Sequence, residues 1–188
     1  MRKLSNIASI RNGYSNRGKV QDQPNGQVHV VQMKDLELNY SKIGTNAYRI
    51  ESSKTIQKHL LKQGEILLLS RGANNKAVCF DGEYEQAVAA SAFFVIALKV
   101  ETVLPAYLAW YLNQKPVQQE FEKLGEGTMI RNLNKSYIEN LEIPIPSMEK
   151  QQEIVRIYNL WQQEQQILQQ IITKKNQLIE HLLLLQTK

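Results

Sequence analysis

From Ser147 onward, apolar residues return with a heptad rhythm that no Pro or Gly interrupts. Placing Ile154, Trp161, Leu168, Lys175 and Leu182 at a puts Ile157, Glu164, Ile171, Leu178 and Leu185 at d, so eight of these ten seam positions are apolar. Ser147 offers an N-cap hydroxyl and Glu149 an acid in the first turn, where the helix dipole favours it. At 1.5 Å per residue the predicted helix is roughly 55–60 Å long, longer than a small domain is wide. A stripe of that length needs something to cover it.

The two polar interruptions bear on what covers it. Glu164 and Lys175 lie symmetrically about the point between Gln169 and Gln170. In an antiparallel pair of identical helices centred there, Glu164 meets Lys175 of the other copy, twice. The same centring sets Ile154 against Leu185, Ile157 against Leu182, Trp161 against Leu178 and Leu168 against Ile171. A parallel pair would set like charges together. The alternative cover is the chain's own globular part, with the helix lying amphipathically across it.

Ahead of the helix the pattern is mixed. Leu4–Ile10 is a short apolar segment, and Arg11–Gln27 is rich in Gly, Asn and Gln and reads as a loop. Val28–Met33 alternates and is β-branched, which predicts a strand. A connection with a short strand over Asn39–Ser53 and a helical turn over Thr55–Lys62 follow. Gly64–Phe80 predicts a hairpin with Ser70–Lys76 at its tip. Ala87–Val100 is continuously apolar, as a buried strand or pair of strands would be. Pro105–Leu112 opens a helix with Pro in its first turn, Val117–Leu124 continues as a second, and Gly125–Pro146 is a Gly loop, a short segment and an extended LEIPIP. The predicted fold class is α+β: a mixed-sheet domain over 1–146, then one long helix over 147–188 that pairs as an antiparallel coiled coil.

Charge sharpens this picture. Residues 1–76 hold 13 Lys/Arg against 5 Asp/Glu, while 77–147 hold 5 against 9. A basic half and an acidic half in one domain predict a face made for a polyanion, and nucleic acid is the obvious one. The single Cys79 sits in an apolar run and predicts a buried structural thiol in a cytoplasmic protein. No apolar run is long enough for a membrane span, and the basic start lacks the apolar core of a signal peptide.

Catalytic patterns are missing. There is no Walker A sequence, no dinucleotide fingerprint and no Asn-Pro-Pro-aromatic or Asp-Pro-Pro-aromatic tetrapeptide of a base-amino methyltransferase. His29, His59 and His181 are scattered without metal-ligand spacing, and Asp81, Glu83 and Glu85 fall in a turn where they read as solvated. The chain reads as a binder with no cofactor of its own.

Four stretches carry a resemblance: GEILLLSRGANNKAV, AVAASAFFVI, PAYLAWYLNQ and GTMIRNLNKSYIENLEIPIPSMEKQQEIV. Together they resemble a target-recognition domain and conserved helix from the DNA-specificity (S) subunit of type I restriction–modification enzymes. The last block is the most specific, with Gly127, Thr128, Leu133, Leu141, Ile143, Pro144, Pro146, Glu149, Gln152 and Val155 on the family pattern. The resemblance covers essentially the whole chain. A complete S subunit resembles two such units in tandem, so this chain resembles a half subunit. The resemblance implies a non-catalytic reader of double-stranded DNA that takes one half of a bipartite target. The implied partners are itself or another half subunit, methyltransferase (M) subunits that hold S-adenosylmethionine, and ATP-driven restriction (R) subunits.

Base edges are read by Arg, Lys, Asn and Gln, and phosphates by Lys, Arg, Ser, Thr and backbone N–H groups. Three patches offer such side chains beside glycines. The first loop has Tyr14, Asn16, Arg17 and Lys19, and the hairpin tip has Ser70, Arg71, Asn74, Asn75 and Lys76. The late Gly loop has Thr128, Arg131, Asn132, Asn134 and Lys135, of which Asn132–Lys135 have a second reading as a cap for the segment that follows. The family's loops vary with target, so the resemblance assigns no individual contact. A second function class stays open, an assembly adaptor that works through the long helix and binds no DNA. A nuclease is disfavoured by the lack of a metal-carboxylate set.

Overall fold

The computed structural model describes residues 1–16, 18–37, 42–72, 75–124 and 132–186. The chain opens with β1 (Arg2–Lys3), α1 (Leu4–Ile7) and β2 (Ala8–Asn12), so the first apolar segment is divided between a helical turn and a strand. Next come β3 (Val28–Val31), β4 (Leu36–Glu37), β5 (Lys42–Ile43) and β6 (Tyr48–Ile50). A short helix α2 (Lys54–Gln57) precedes the hairpin strands β7 (Ile66–Leu69) and β8 (Ala77–Cys79). Then follow β9 (Ala87–Ala89), β10 (Phe93–Leu98), α3 (Pro105–Leu112), α4 (Lys115–Leu124), α5 (Lys135–Asn140), β11 (Glu142–Ile143) and α6 (Met148–Leu185).

A four-stranded antiparallel sheet in the order β2–β10–β7–β8 forms the centre. A three-stranded sheet, β6–β3–β9, has β3 and β9 parallel. The sequence of β7 explains the layering. All four of its residues, Ile66 to Leu69, are fully buried. Successive side chains of a strand point to opposite faces. Ile66 and Leu68 join Leu108, Leu112, Phe121 and Ile138 from the helices. Leu67 and Leu69 join Val31, Phe80, Ala87 and Ala89 on the other side. The central sheet is therefore covered on both faces, and a strand covered on both faces has no reason to alternate.

The apolar run 87–100 behaves the same way and is not one strand. Its first part pairs with β3, its second with β2 and β7, and the chain turns at Ala90–Ala92 between them. The Val28–Met33 strand stops at Val31, because Gln32 and Asp35 form a reciprocal capping box around a 3-10 turn, Met33–Asp35. The helical turn expected over Thr55–Lys62 is limited to α2, which Ser53 caps. The second helix begins two residues before Val117, at Lys115. Of the LEIPIP segment only Glu142–Ile143 is strand, antiparallel to β1.

Ser147 caps α6 as expected, its hydroxyl accepting from the Lys150 N–H. Gln151 in the first turn is fully buried. Its Oε1 accepts from the Leu104 N–H at 2.9 Å, and its Nε2 donates to Thr102 O and Pro146 O, each at 2.9 Å. Ile154 and Val155 pack against the helix-side core. Beyond them the helix leaves the body, and Ile157 is already 60% exposed. The body covers only the root of the stripe, so an amphipathic helix lying across its own domain is not what forms.

Candidate nucleic-acid interface

The three sequence patches are far apart in the chain, and the central sheet brings parts of all three together. β2 and β7 flank β10, so the residues that follow β2 and those that follow β7 emerge at one edge of the body. There they line an open cavity of about 420 Å³, formed by Asn12, Gly13, Ser15, Ser70, Arg71, Ser91, Phe94, Asn132 and Leu133. Among the described residues none of the lining side chains is acidic.

Each wall is fixed by backbone hydrogen bonds. The Gly13 N–H donates to Phe93 O at 2.9 Å and the Tyr14 N–H to Ala89 O at 2.7 Å. A Cβ on Gly13 would collide with the Ala90 carbonyl, so only glycine lets the first loop lie this close to the β9–β10 turn. The Ser70 N–H and hydroxyl both donate to Ala92 O, at 2.8 and 2.9 Å. Arg71 forms an antiparallel bridge with Asn132, and the Leu133 N–H donates to Ser70 O at 2.8 Å. The two patches nearest the cavity therefore hold each other in register.

The predicted contact residues divide by burial. Arg71 and Asn132 are exposed at the cavity rim, and Lys19 is exposed in the first loop. Asn16 and Lys76 are half-buried. Tyr14 is half-buried away from the cavity lining, its ring edge-on to His59 with centroids 5.7 Å apart. Ser70 and Asn75 are buried at 6% and 3% exposure and serve the frame. The Asn75 Nδ2 donates to Leu69 O at 2.9 Å, and the Gln118 Nε2 donates to Asn75 O at 2.9 Å, closing the hairpin onto α4. Asn134 caps α5, its Oδ1 accepting from the Ser136 N–H at 2.9 Å. Lys135 pairs with Glu139 one turn on, at 3.5 Å. Arg17, Asn74, Thr128 and Arg131 lie outside the described residues.

Sequence reasoning missed Asn12, Ser15, Ser91 and Phe94 on the cavity wall. The signal for Ser91 was present, as the one hydroxyl within a long apolar run. It also passed over the basic segment Lys54, Lys58 and Lys62, all exposed. That segment packs against the first loop through His59 on Tyr14, and Leu60 shares a small core cluster with Tyr14 and Val20. Among the described residues none of these three lysines has an ion pair. Glu65, three residues after Lys62, is instead held by Arg11 at 2.8 Å and by the Lys62 N–H at 2.9 Å.

Elsewhere the chemistry is quiet. Among the described residues no group of His, Cys, Asp or Glu side chains is arranged to hold a metal ion, and no helix is long and apolar enough to cross a membrane. Cys79 is half-buried, and burial, with help from the Asp81 charge, pushes its thiol up to about 11.

Comparison with known proteins agrees with this fold. A chain from the type I R-M system, solved to explain complex assembly and conformational transition, superposes with a TM-score of 0.65 at 15% identity, covering 86% of this chain and 37% of that one. The HsdS subunit from Thermoanaerobacter tengcongensis gives 0.61 at 16% identity, covering 86% and 36%. The type I restriction–modification S subunit from M. genitalium gives 0.59 at 17% identity, covering 86% and 38%. At these identities the likeness shows the fold. The chain spans well under half the length of each of these proteins. No curated protein matches the chain. The family described as Type I restriction modification DNA specificity domain matches residues 1–182, and the chain belongs to that family.

Proposed function

We propose that this chain reads one half of a bipartite DNA target and holds a second reader at a fixed distance. In this reading residues 1–146 form the recognition unit and 147–188 the pairing and spacing unit. The observation that carries the recognition half is the cavity where the first loop, the hairpin tip and Asn132 converge, whose lining holds no acid among the described residues. Arg71 and Asn132, exposed and bridged to one another, are the side chains best suited to base edges, Arg to guanine and Asn to adenine. Asn12 and Ser15 stand beside them. Lys19, Lys54 and Lys58 supply positive charge for phosphates, which position the protein without reading sequence.

The pairing half rests on the exposed apolar stripe of α6 and on Glu164 and Lys175, which an antiparallel second copy would bring together twice. Two-fold symmetry in the protein is matched by a palindromic target with two half-sites. Methyltransferase subunits, carrying S-adenosylmethionine, and restriction subunits are the partners the family implies, and the chain's part is to position them.

The test is co-expression with the methyltransferase subunit of its own system, followed by sequencing that detects methylated bases. A palindromic two-part motif is the expected result. An asymmetric motif would replace the second copy with a different half subunit. No methylation from an assembled complex would refute the recognition reading and leave an adaptor that works through α6.

A further inference from the structure

The exposed face of α6 does not follow the heptad for its whole length. Written in heptads, its flanking apolar residues change sides midway. Leu160 and Ile167 fall at g, whereas Ile172 and Ile179 fall at e. All four are between 44% and 56% exposed, as exposed as the a and d residues beside them. An 11-residue repeat accounts for both sets. Ile157, Leu168 and Ile179 are one series, Leu160, Ile171 and Leu182 a second, Ile167 and Leu178 a third, and Trp161, Ile172 and Leu183 a fourth. Glu164 and Lys175 are also 11 apart, so the two charged residues occupy the same place in the repeat.

The period decides the geometry. A 7-residue repeat takes 3.5 residues per turn and drifts around a straight helix by about 20° per heptad, which forces a left-handed supercoil. An 11-residue repeat takes about 3.67 per turn, close to the 3.6 of a straight helix and slightly beyond it. The stripe therefore runs nearly parallel to the axis of α6.

We propose that a second copy packs along this 11-residue face as a nearly straight antiparallel pair, with Leu160, Ile167, Ile172 and Ile179 inside the contact. This rests on the pairing reading above and specifies its geometry. Inversion about the point between Gln169 and Gln170 returns the face onto itself. Leu160 changes places with Ile179, Ile167 with Ile172, and Glu164 with Lys175. Every apolar position of these series is set against another apolar residue except Leu183, which falls opposite Arg156 near the end of the pair. At 100° per residue, Trp161 and Ile179 share one flank, and Leu160 and Leu178 share the other. The two-fold axis stands normal to the pair, so it sets each flank against the same flank of the second copy. Gln151 and Ile154, on the side of α6 that meets the body, lie towards the Trp161 flank. Both bodies then project from one side of the rod, with their Gln151 anchors about 55 Å apart along it. One duplex can reach both readers only from a shared side.

The experiment is sedimentation equilibrium on the full chain and on a variant carrying Leu160→Gln, Ile167→Gln, Ile172→Gln and Ile179→Gln, each over a dilution series. Glutamine is a good helix former, and far-UV circular dichroism checks that α6 persists. A left-handed coil would carry these four at its solvated flanks and tolerate glutamine there. The straight face predicts a dimer for the parent chain and dimerisation weakened by roughly 100-fold or more in the variant, because buried apolar area is removed at eight places in the pair. A variant that dimerises within threefold of the parent overturns the 11-residue face and leaves a heptad dimer intact. A parent chain that stays monomeric throughout overturns pairing itself, and this geometry with it.

Discussion

Gln151→Met is the most direct test of how α6 is rooted. Methionine keeps the length and bulk of the side chain and removes its polar atoms. Gln151 is fully buried and makes three hydrogen bonds of 2.9 Å, from Leu104 N–H and to Thr102 O and Pro146 O. A buried polar group left without a partner costs about 1–3 kcal/mol. Thr102 is exposed and Pro146 half-buried, so their carbonyls turn to water at small cost. The Leu104 amide sits at the N-terminus of α3 under the helix root and carries most of the penalty. The expected loss is about 2–4 kcal/mol in urea denaturation. Native-state hydrogen exchange at Leu104 supplies the specific readout, since that amide loses its acceptor and exchanges faster. A stability loss under about 0.5 kcal/mol with Leu104 still protected would refute the claim that Gln151 holds the helix to the body.

Four further outcomes follow from the site, the stripe and the half-buried thiol. Arg71→Ala weakens target binding by about 1–3 kcal/mol and relaxes one position of the methylated motif, whereas equal affinity and an unchanged motif would remove Arg71 from the contacts. Glu164→Lys places like charges together twice in an antiparallel pair and raises the dimer dissociation constant about 10-fold or more, and adding Lys175→Glu restores it; equal dissociation constants for the parent, the single and the double variant would count against the register. Cys79, with its thiol pushed from 9.0 to about 11, holds its proton at pH 8 and reacts with iodoacetamide about 100-fold more slowly than a free cysteine. Because the folded-state value is raised, the thiol favours folding below pH 9 and loses that contribution as pH rises towards 11, which a denaturation series against a Cys79→Ala control would register.

Local pattern and long-range pairing were not equally legible in the sequence. Pro105–Leu112 and the capped start of α6 were readable because their determinants are local: a proline that fixes the first turn, and a serine hydroxyl one turn from the amide it accepts. The Ser70–Lys76 tip was readable for the same reason. The split of 87–100 between two sheets was not, because strands covered on both faces leave no alternation to mark where one ends. Within the candidate site, Asn75 and Asn132 are the same residue type in similar polar loops. An amide that feeds Leu69 O and one that stands at a cavity rim differ only in what the fold sets beside them. The cavity itself depends on β2 and β7 both pairing with β10, contacts between residues 82–90 and 24–30 positions apart in the chain.

The arrangement separates what holds the site from what the site presents. Ser70, Asn75 and Asn113 spend their polar atoms on the backbone: Ser70 on Ala92, Asn75 on Leu69 and Asn113 on both polar groups of Ala77. Gly13 holds the first loop against Ala90 by having no side chain. These positions fix where the walls stand and contribute little to what the walls display. Asn12, Ser15, Arg71 and Asn132 stand on that frame and, among the described residues, have no side-chain hydrogen bond or ion pair within the chain. Substitution of a displayed residue therefore leaves the frame's hydrogen bonds in place, whereas Asn75→Ala strands the buried Leu69 carbonyl. Under the function proposed above, a chain built this way exchanges its display for a new target without being refolded, and the same division makes burial, more than residue type, the useful guide to which loop side chains to mutate first.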